Sequence, residues 1–331
     1  MDVVALTRQL IDIESITGNE APVGDFLARH LEGIGYTVER MPVTETRFNV
    51  YAAPPNHPAP PLVFSTHLDV VPPWSPSRED AVNVYGRGAC DAKGIIAAQV
   101  TAAQSLLAAG VPTGLLFVAG EERDSLGAQV ANQHPRGSKF LVNGEPTDNR
   151  IALASKGAFR VEVTSHGRMA HSAYPELGES AIDKLLDALT ALRSMHLPTN
   201  PEIGPSTLNI GIIEGGRATN VIPDFAKAQL LYRLVGPSED LRPRIVEAVG
   251  ANGDVDFVLD IPYMKFRAIS GIPTMTASFT TDIPKLGNWG EPVLLGPGSI
   301  HVAHTEAEFV SKQDLHQAVD LYIRIARELL S

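Results

Sequence analysis

The sequence predicts an α/β fold in which a mostly parallel-sheet domain is interrupted by a smaller inserted α+β domain. Three observations carry this. The chain has 331 residues, well above the ~100–200 typical of one domain. Its first part alternates helical spacing with short apolar runs. After Lys156 the pattern changes to strict apolar/polar alternation. The expected boundaries are residues 1–156 for the first part of the larger domain, 157–268 for the insertion and 269–331 for the return.

Val23, Phe26, Leu27, Leu31 and Ile34 recur at helical spacing. The proline-rich stretch from Pro54 to Pro61 reads as a surface loop. Leu62, Val63 and Phe64 form a short apolar run, as do Leu115 to Val118 and Phe140 to Val142. Such runs fit strands buried on both faces, the mark of a parallel sheet. Ile95 to Leu107, apolar and free of glycine and proline, predicts a buried helix. In the insertion, Phe159, Val161 and Val163 alternate with polar residues, as do Leu208, Ile210 and Ile212. Ala226 to Leu234 and Asp254 to Leu259 read as further strands, with helices over about Glu179 to Leu192 and Glu239 to Val249. The order is strand–helix–strand–strand–helix–strand, a small α+β sandwich. From about Thr274 the chain rejoins the first domain and ends in a helix over Lys312 to Leu330.

Hydrophobic residues make up 44% and charged residues 20%, ordinary for a globular chain with a sizeable core. The formal net charge is −11 and the pI about 5.4. An acidic surface repels phosphate backbones, so nucleic acid is not an expected partner. No apolar run approaches the ~20 residues that span a bilayer, so no membrane partner is expected. One cysteine, Cys90, excludes an intrachain disulfide. The N-terminus lacks the basic segment, apolar run and cleavage site of a signal peptide, and the cytoplasm is the expected compartment.

The chemistry gathers where apolar runs end. His67 and Asp69 follow the run ending near Ser65, Glu121 and Glu122 that ending near Val118, and Glu145 that ending near Val142. His301 and His304 follow Val293 to Leu295. In open α/β sheets, ligands bind at the carboxyl ends of strands. Carboxylates converging there without cations would repel one another. Divalent metals resolve that conflict, and a mixed His/Asp/Glu set suits zinc, cobalt or manganese better than magnesium or calcium. His67, Asp91, Glu122, Glu145 and His304 exceed what one zinc with an open position needs and suit two metals about 3.5–4 Å apart. Asp69, two residues beyond His67, is expected to accept the other imidazole N–H. Glu121 and Glu122 are adjacent, so their side chains diverge. One can bind metal while the other serves as base. An isolated Glu-Glu pair commonly opens an exposed helix, but here Gly120 and an apolar strand precede it. The glycine-punctuated loop Gly86 to Gly94 aims Asp91 inward and lacks the spacing of a phosphate loop. Within it, Cys90 reads as a buried structural thiol rather than a nucleophile.

Thr66-His67-Leu68-Asp69, Gly86-Arg87-Gly88 through Asp91-Ala92-Lys93-Gly94, Gly120-Glu121-Glu122, Gly144-Glu145-Pro146-Thr147, and Gly296-Pro297-Gly298-Ser299 with Ala303-His304-Thr305 occur in that order. Together they resemble the co-catalytic zinc peptidase/deacylase family, which includes acetylornithine deacetylase, succinyl-diaminopimelate desuccinylase, aminoacylase and carboxypeptidase G. The resemblance implies two zinc ions, with Asp91 bridging them, His67 and Glu145 on one, and Glu122 and His304 on the other. It implies that Glu121 takes a proton from the attacking water and returns it to the leaving amine, with Asp69 orienting His67. Gly167 to Ser172 resembles the family's lid segment, which implies that His171 stabilises the oxyanion, often across a dimer. Arg233 resembles the lid arginine that grips a substrate carboxylate. Asn220, Gly298 and His301 join it as expected substrate-binding residues. The stretch from Val71 to Tyr85 is shorter than is usual in the family. Glutamate at position 145 resembles the deacylase and carboxypeptidase members more than the aminopeptidases. The implied activity is therefore removal of an acyl group from an N-acyl amino acid, as in amino-acid biosynthesis. Its alternatives are a dipeptidase or carboxypeptidase with the same site, or a catalytically inactive metal-binding homologue. A homodimer through the lid domain is the implied assembly.

Overall fold

The computed structural model describes residues 2–331. The principal elements, in chain order, are α1 (Val3–Ile11), α2 (Ala21–Gly33), β1 (Thr37–Pro42), β2 (Phe48–Ala53), β3 (Leu62–His67), α3 (Lys93–Ala108), β4 (Thr113–Val118), α4 (Leu126–Gln133), β5 (Phe140–Asn143), β6 (Ile151–Ser155), β7 (Gly157–His166), α5 (Ala181–Ser194), β8 (Thr207–Gly215), β9 (Phe225–Leu234), α6 (Arg242–Val249), β10 (Asp254–Ile261), β11 (Glu291–Leu294) and α7 (Lys312–Leu330). They divide into two compact units. One holds the chain up to Leu153 with Phe266–Met275 and Thr281–Ser331, the other Ala154–Lys265 with Thr276–Thr280.

The first unit is built on a sheet of order β1-β2-β4-β3-β5-β11-β6. Its centre is parallel: β3 pairs with β4 and β5, and β5 with β11. Every residue of β3 and β4 is buried, which is why they read as unbroken apolar runs. Helix α3 is apolar almost all round because it is buried in the core, with Ile95, Ile96, Val100 and Leu106 inaccessible or nearly so. It begins at Lys93, two residues before the apolar run. Helix α7 instead buries one stripe, Leu315, Ala318, Tyr322, Ile325 and Ala326, and its Ser311 caps the Asp314 amide.

The hairpin of β1 and β2 is not visible in the sequence pattern. Its outer strand, Thr37-Val38-Glu39-Arg40-Met41-Pro42, buries only Met41, so no alternation marks it.

The second unit is an antiparallel sheet of order β8-β9-β7-β10. Helices α5 and α6 bury Leu185, Leu189, Leu192, Ile245 and Val249 against Val161, Val163, Leu230 and Tyr232. Helix α6 starts at Arg242 rather than Glu239. Proline lacks an N–H and is tolerated only in a first turn, so Pro243 fixes the start. The alternation expected through Ile212 breaks at a β-bulge between Ile210 and Ile212. Beyond it Ile212 and Ile213 are both exposed, at 46% and 57%.

Candidate metal centre

The four central strands of the first unit end in register. Ser65 pairs with Asn143, His67 with Val118, and Asn143 with Leu294. The loops leaving them therefore start from one edge, and the ligand-type residues lie on those loops. The strand ends are tied together as well: Leu68 donates to the Val118 carbonyl at 2.8 Å, and Gly144 to the Ser65 carbonyl at 2.8 Å.

His67 closes β3 and is 1% exposed. Its Nδ1 lies 2.9 Å from the main-chain oxygen of Asp69, so Nδ1–H donates there and Nε2 is the free ligand atom. The Asp69 carboxylate is farther, at 3.6 Å. It accepts instead from the amides of Gly120 (3.0 Å), Glu121 (3.1 Å) and Glu122 (3.2 Å), and from the Thr17 hydroxyl at 2.8 Å. Asp69 thus fixes the backbone that presents both glutamates. Gly120 makes that turn possible: its φ is +86°, and a Cβ there would run into Arg47 and Asp124.

Asp91 lies on the loop before α3, with its two carboxylate oxygens facing different imidazoles. Oδ1 is 3.0 Å from His67 Nε2, and Oδ2 is 3.3 Å from His304 Nε2. His304 Nε2 is also 3.0 Å from Glu122 Oε1. His67, Asp91 and Glu122 each offer a donor atom within 4.8 Å of the others. Glu145, beyond β5, is buried, and the charges of Glu121 and Asp91 act on it.

The electrostatics are those of a site short of positive charge. Burial alone would push the His67 imidazole down, but the Asp91 carboxylate against Nε2 and the nearby Asp69 and Glu121 carboxylates hold it well above its usual value. His304 is pushed up to about 10 by its hydrogen bonds to Asp91 and Glu122. Burial opposes ionisation of Asp91, yet the two histidines hold it below the usual carboxylate range. Glu121 and Glu145 are pushed well up, first by burial and then by neighbouring carboxylates. In the protein alone the imidazolium groups supply the charge that a cation would supply. The donor set, with His67, Asp91 and Glu145 buried and His304 at the open side, therefore fits divalent metal.

Two groups bearing on this site were not evident in the sequence. Asp282 is buried, raised to about 7 by burial and the charges of Asp69 and Asp124, and in turn raises Glu121. Glu308 is buried beside the Asp91 loop and ion-paired with Arg87 at 2.6 Å. Neither stands in a recognisable motif. Cys90 is buried, with its Sγ 3.6 Å from Glu308 Oε1, and burial pushes the thiol well up, as befits a structural cysteine.

The remaining expected residues are spread over both units. Gly298 (φ +79°) packs so close to the Asp91 loop that a Cβ would lie 2.5 Å from that of Cys90. His301 is exposed on the loop after it. In the second unit a short ribbon pairs His171 with Val221, and the Asn220 carbonyl accepts from the Ser172 amide at 3.0 Å. Arg233 lies on β9 opposite Thr207 and Ala158. Among the described residues, no helix is long and apolar enough to cross a membrane.

A largely buried His/Asp/Glu cluster at the carboxyl edge of a parallel sheet fits the α/β class of metallohydrolases. Comparison with known proteins narrows this. A family model described as the M20 peptidase dimerisation domain matches residues 153–251. A peptidase M20 domain-containing protein from Schizosaccharomyces pombe is 37% identical over 98% of this chain and 84% of its own length. A probable carboxypeptidase from Neosartorya fischeri is 36% identical, covering 98% and 85%. Among solved structures, the aminopeptidase PepT from Bacillus cereus superposes with a TM-score of 0.83 at 20% identity, covering 99% of this chain and 98% of that one. The chain belongs to the M20 peptidase family, and is a metallopeptidase-type hydrolase acting on amide or peptide bonds.

Proposed function

We propose that this protein is a two-metal carboxypeptidase, cleaving the amide bond whose nitrogen belongs to a residue with a free carboxylate. The observation that carries the metal half is the division of Asp91, whose oxygens face His67 at 3.0 Å and His304 at 3.3 Å. That is the disposition a bridging carboxylate needs. His67 and Glu145 would hold one cation and Glu122 and His304 the other, with zinc suited to the donor set and cobalt or manganese able to replace it. Cations held there would supply a Lewis acid. Glu121 would take a proton from the attacking water and return it to the departing amine. Asp69 holds the Glu121 and Glu122 amides, so base and ligand stay in fixed relation.

For Arg233 we propose the grip on the substrate carboxylate. Its Nη1 is buried and has no hydrogen-bond partner among the described residues, a costly arrangement unless an anion completes it. His171 is proposed as an oxyanion donor. Its Nδ1 accepts the Ala173 amide at 3.1 Å, which leaves Nε2 to carry the proton. Asn220, Gly298 and His301 are proposed to line the substrate pocket. The names of the fungal relatives support the carboxypeptidase reading. N-acyl amino acids present the same bond and the same carboxylate, and Glu145 favours them as a second reading. The proposed assembly is a homodimer through residues 153–251, and the proposed compartment is the cytoplasm, in keeping with the free, buried Cys90.

A substrate panel tests the proposal. N-blocked dipeptides and N-acetyl amino acids with a free carboxylate should be hydrolysed, and their C-terminally amidated counterparts should lose most of kcat/KM. Equal turnover of the amidated forms, or preference for aminoacyl anilides, would overturn it.

A further inference from the structure

The loop from Gly86 to Gly94 carries Asp91, and no regular element holds it until α3 begins at Lys93. Its anchor is Glu308, 2% exposed. Oε1 of Glu308 accepts from the amides of Gly88 (3.0 Å), Cys90 (3.1 Å) and Asp91 (3.2 Å). Oε2 accepts from Arg87 Nη1 at 2.6 Å, and the Glu308 carbonyl accepts from the Gly86 amide at 3.2 Å. The other arms of Arg87 donate to the carbonyls of Pro73 (3.2 Å) and His304 (3.4 Å). One buried ion pair therefore touches the backbone of both Asp91 and His304.

Burying two charges is an expensive way to stabilise a fold, since apolar residues of similar volume often do as well. What the pair adds is a direct tie from one buried carboxylate to three amides of the loop and, through Arg87, to the His304 backbone. We propose that Glu308 and Arg87 are positioning residues that set Asp91 against His304, so that both meet the cation shared with Glu122. This rests on the reading of Asp91 and His304 as metal ligands. Glu308→Gln is the direct probe. A glutamine has one acceptor oxygen and one NH2, so whichever way it turns, donors face either the three amides or Arg87.

The experiment titrates cobalt(II) into metal-free protein, following stoichiometry and the visible d–d spectrum. Wild type should bind two ions per chain. E308Q should bind the second ion about 10–100-fold more weakly, the usual cost of disturbing groups behind a ligand. The spectrum of that second equivalent should change, with smaller effect on the first. Where E308Q fails to fold, Arg87→Lys keeps the charge, drops the arm to His304, and should weaken the same ion. Unchanged second-ion affinity and spectrum in folded E308Q, or in R87K, would overturn the proposal. Fewer than two ions on the wild type would instead refute the ligand reading beneath it.

Discussion

Glu121 and Glu122 are neighbours of one type, and the backbone at Gly120 gives them different surroundings. Glu122 reaches His304 at 3.0 Å, while Glu121 sits among the charges of His67, Asp282 and Asp91. Replacing Glu121 by Gln should lower kcat by about 10²–10⁴-fold and leave metal content unchanged. Loss of metal in that variant would contradict the division of labour. Asp69→Asn replaces one acceptor oxygen by a donor where three amides need acceptors, and should lower kcat with little effect on KM. His304 predicts a pH dependence. Its ordinary value of 6.5 rises to about 10 in the folded, metal-free chain. A raised value stabilises the fold fully below pH 6.5, and that contribution is lost as pH climbs through 10. The Tm of metal-free wild type should therefore fall more across that range than the Tm of His304→Gln. At this scale the candidate ligands His67, Glu122, Glu145 and His304 could be picked out because each follows an apolar run that folds as a strand, and Asp91 by its glycine-punctuated loop. Glu308 and Asp282 could not, because their roles come from partners far away in sequence.

Among the elements, the central strands and α3 and α7 could be read directly, since burial on both faces, or along one stripe, writes itself into composition. The outer strand β1 could not, because an exposed edge imposes no pattern. The bulge in β8 shows the same limit: one inserted residue reverses the faces of everything after it, and alternation alone does not announce it. The approach of the Gly298 loop to Cys90 is another contact invisible until the fold closes. Gly298→Ala combines a left-handed φ with an impossible Cβ contact, and should cost about 1–3 kcal/mol in urea denaturation. Metal affinity should fall with it, because the displaced neighbour is next to Asp91. A neutral effect on both would contradict the packing described.

For the whole molecule, the domain interruption was legible because the period of the sequence changes from one unit to the next. The dimer was suggested in the sequence only by resemblance. The bulge leaves Ile212 and Ile213 exposed on an edge strand, which suits pairing with a second copy. Light scattering should give twice the chain mass for wild type, and Ile213→Lys should shift it towards the monomer. A monomeric wild type would remove the dimer from the account. Metal removal acts at this scale too, since a cation bound only by the folded chain stabilises it by mass action.

Five side chains are proposed to hold two cations with Asp91 between them. Anomalous diffraction from crystals grown with zinc tests it most directly. Two peaks per chain are expected, one touching His67 and Glu145, the other Glu122 and His304, with Asp91 in contact with both. A single peak, or a pair that does not share Asp91, would contradict it.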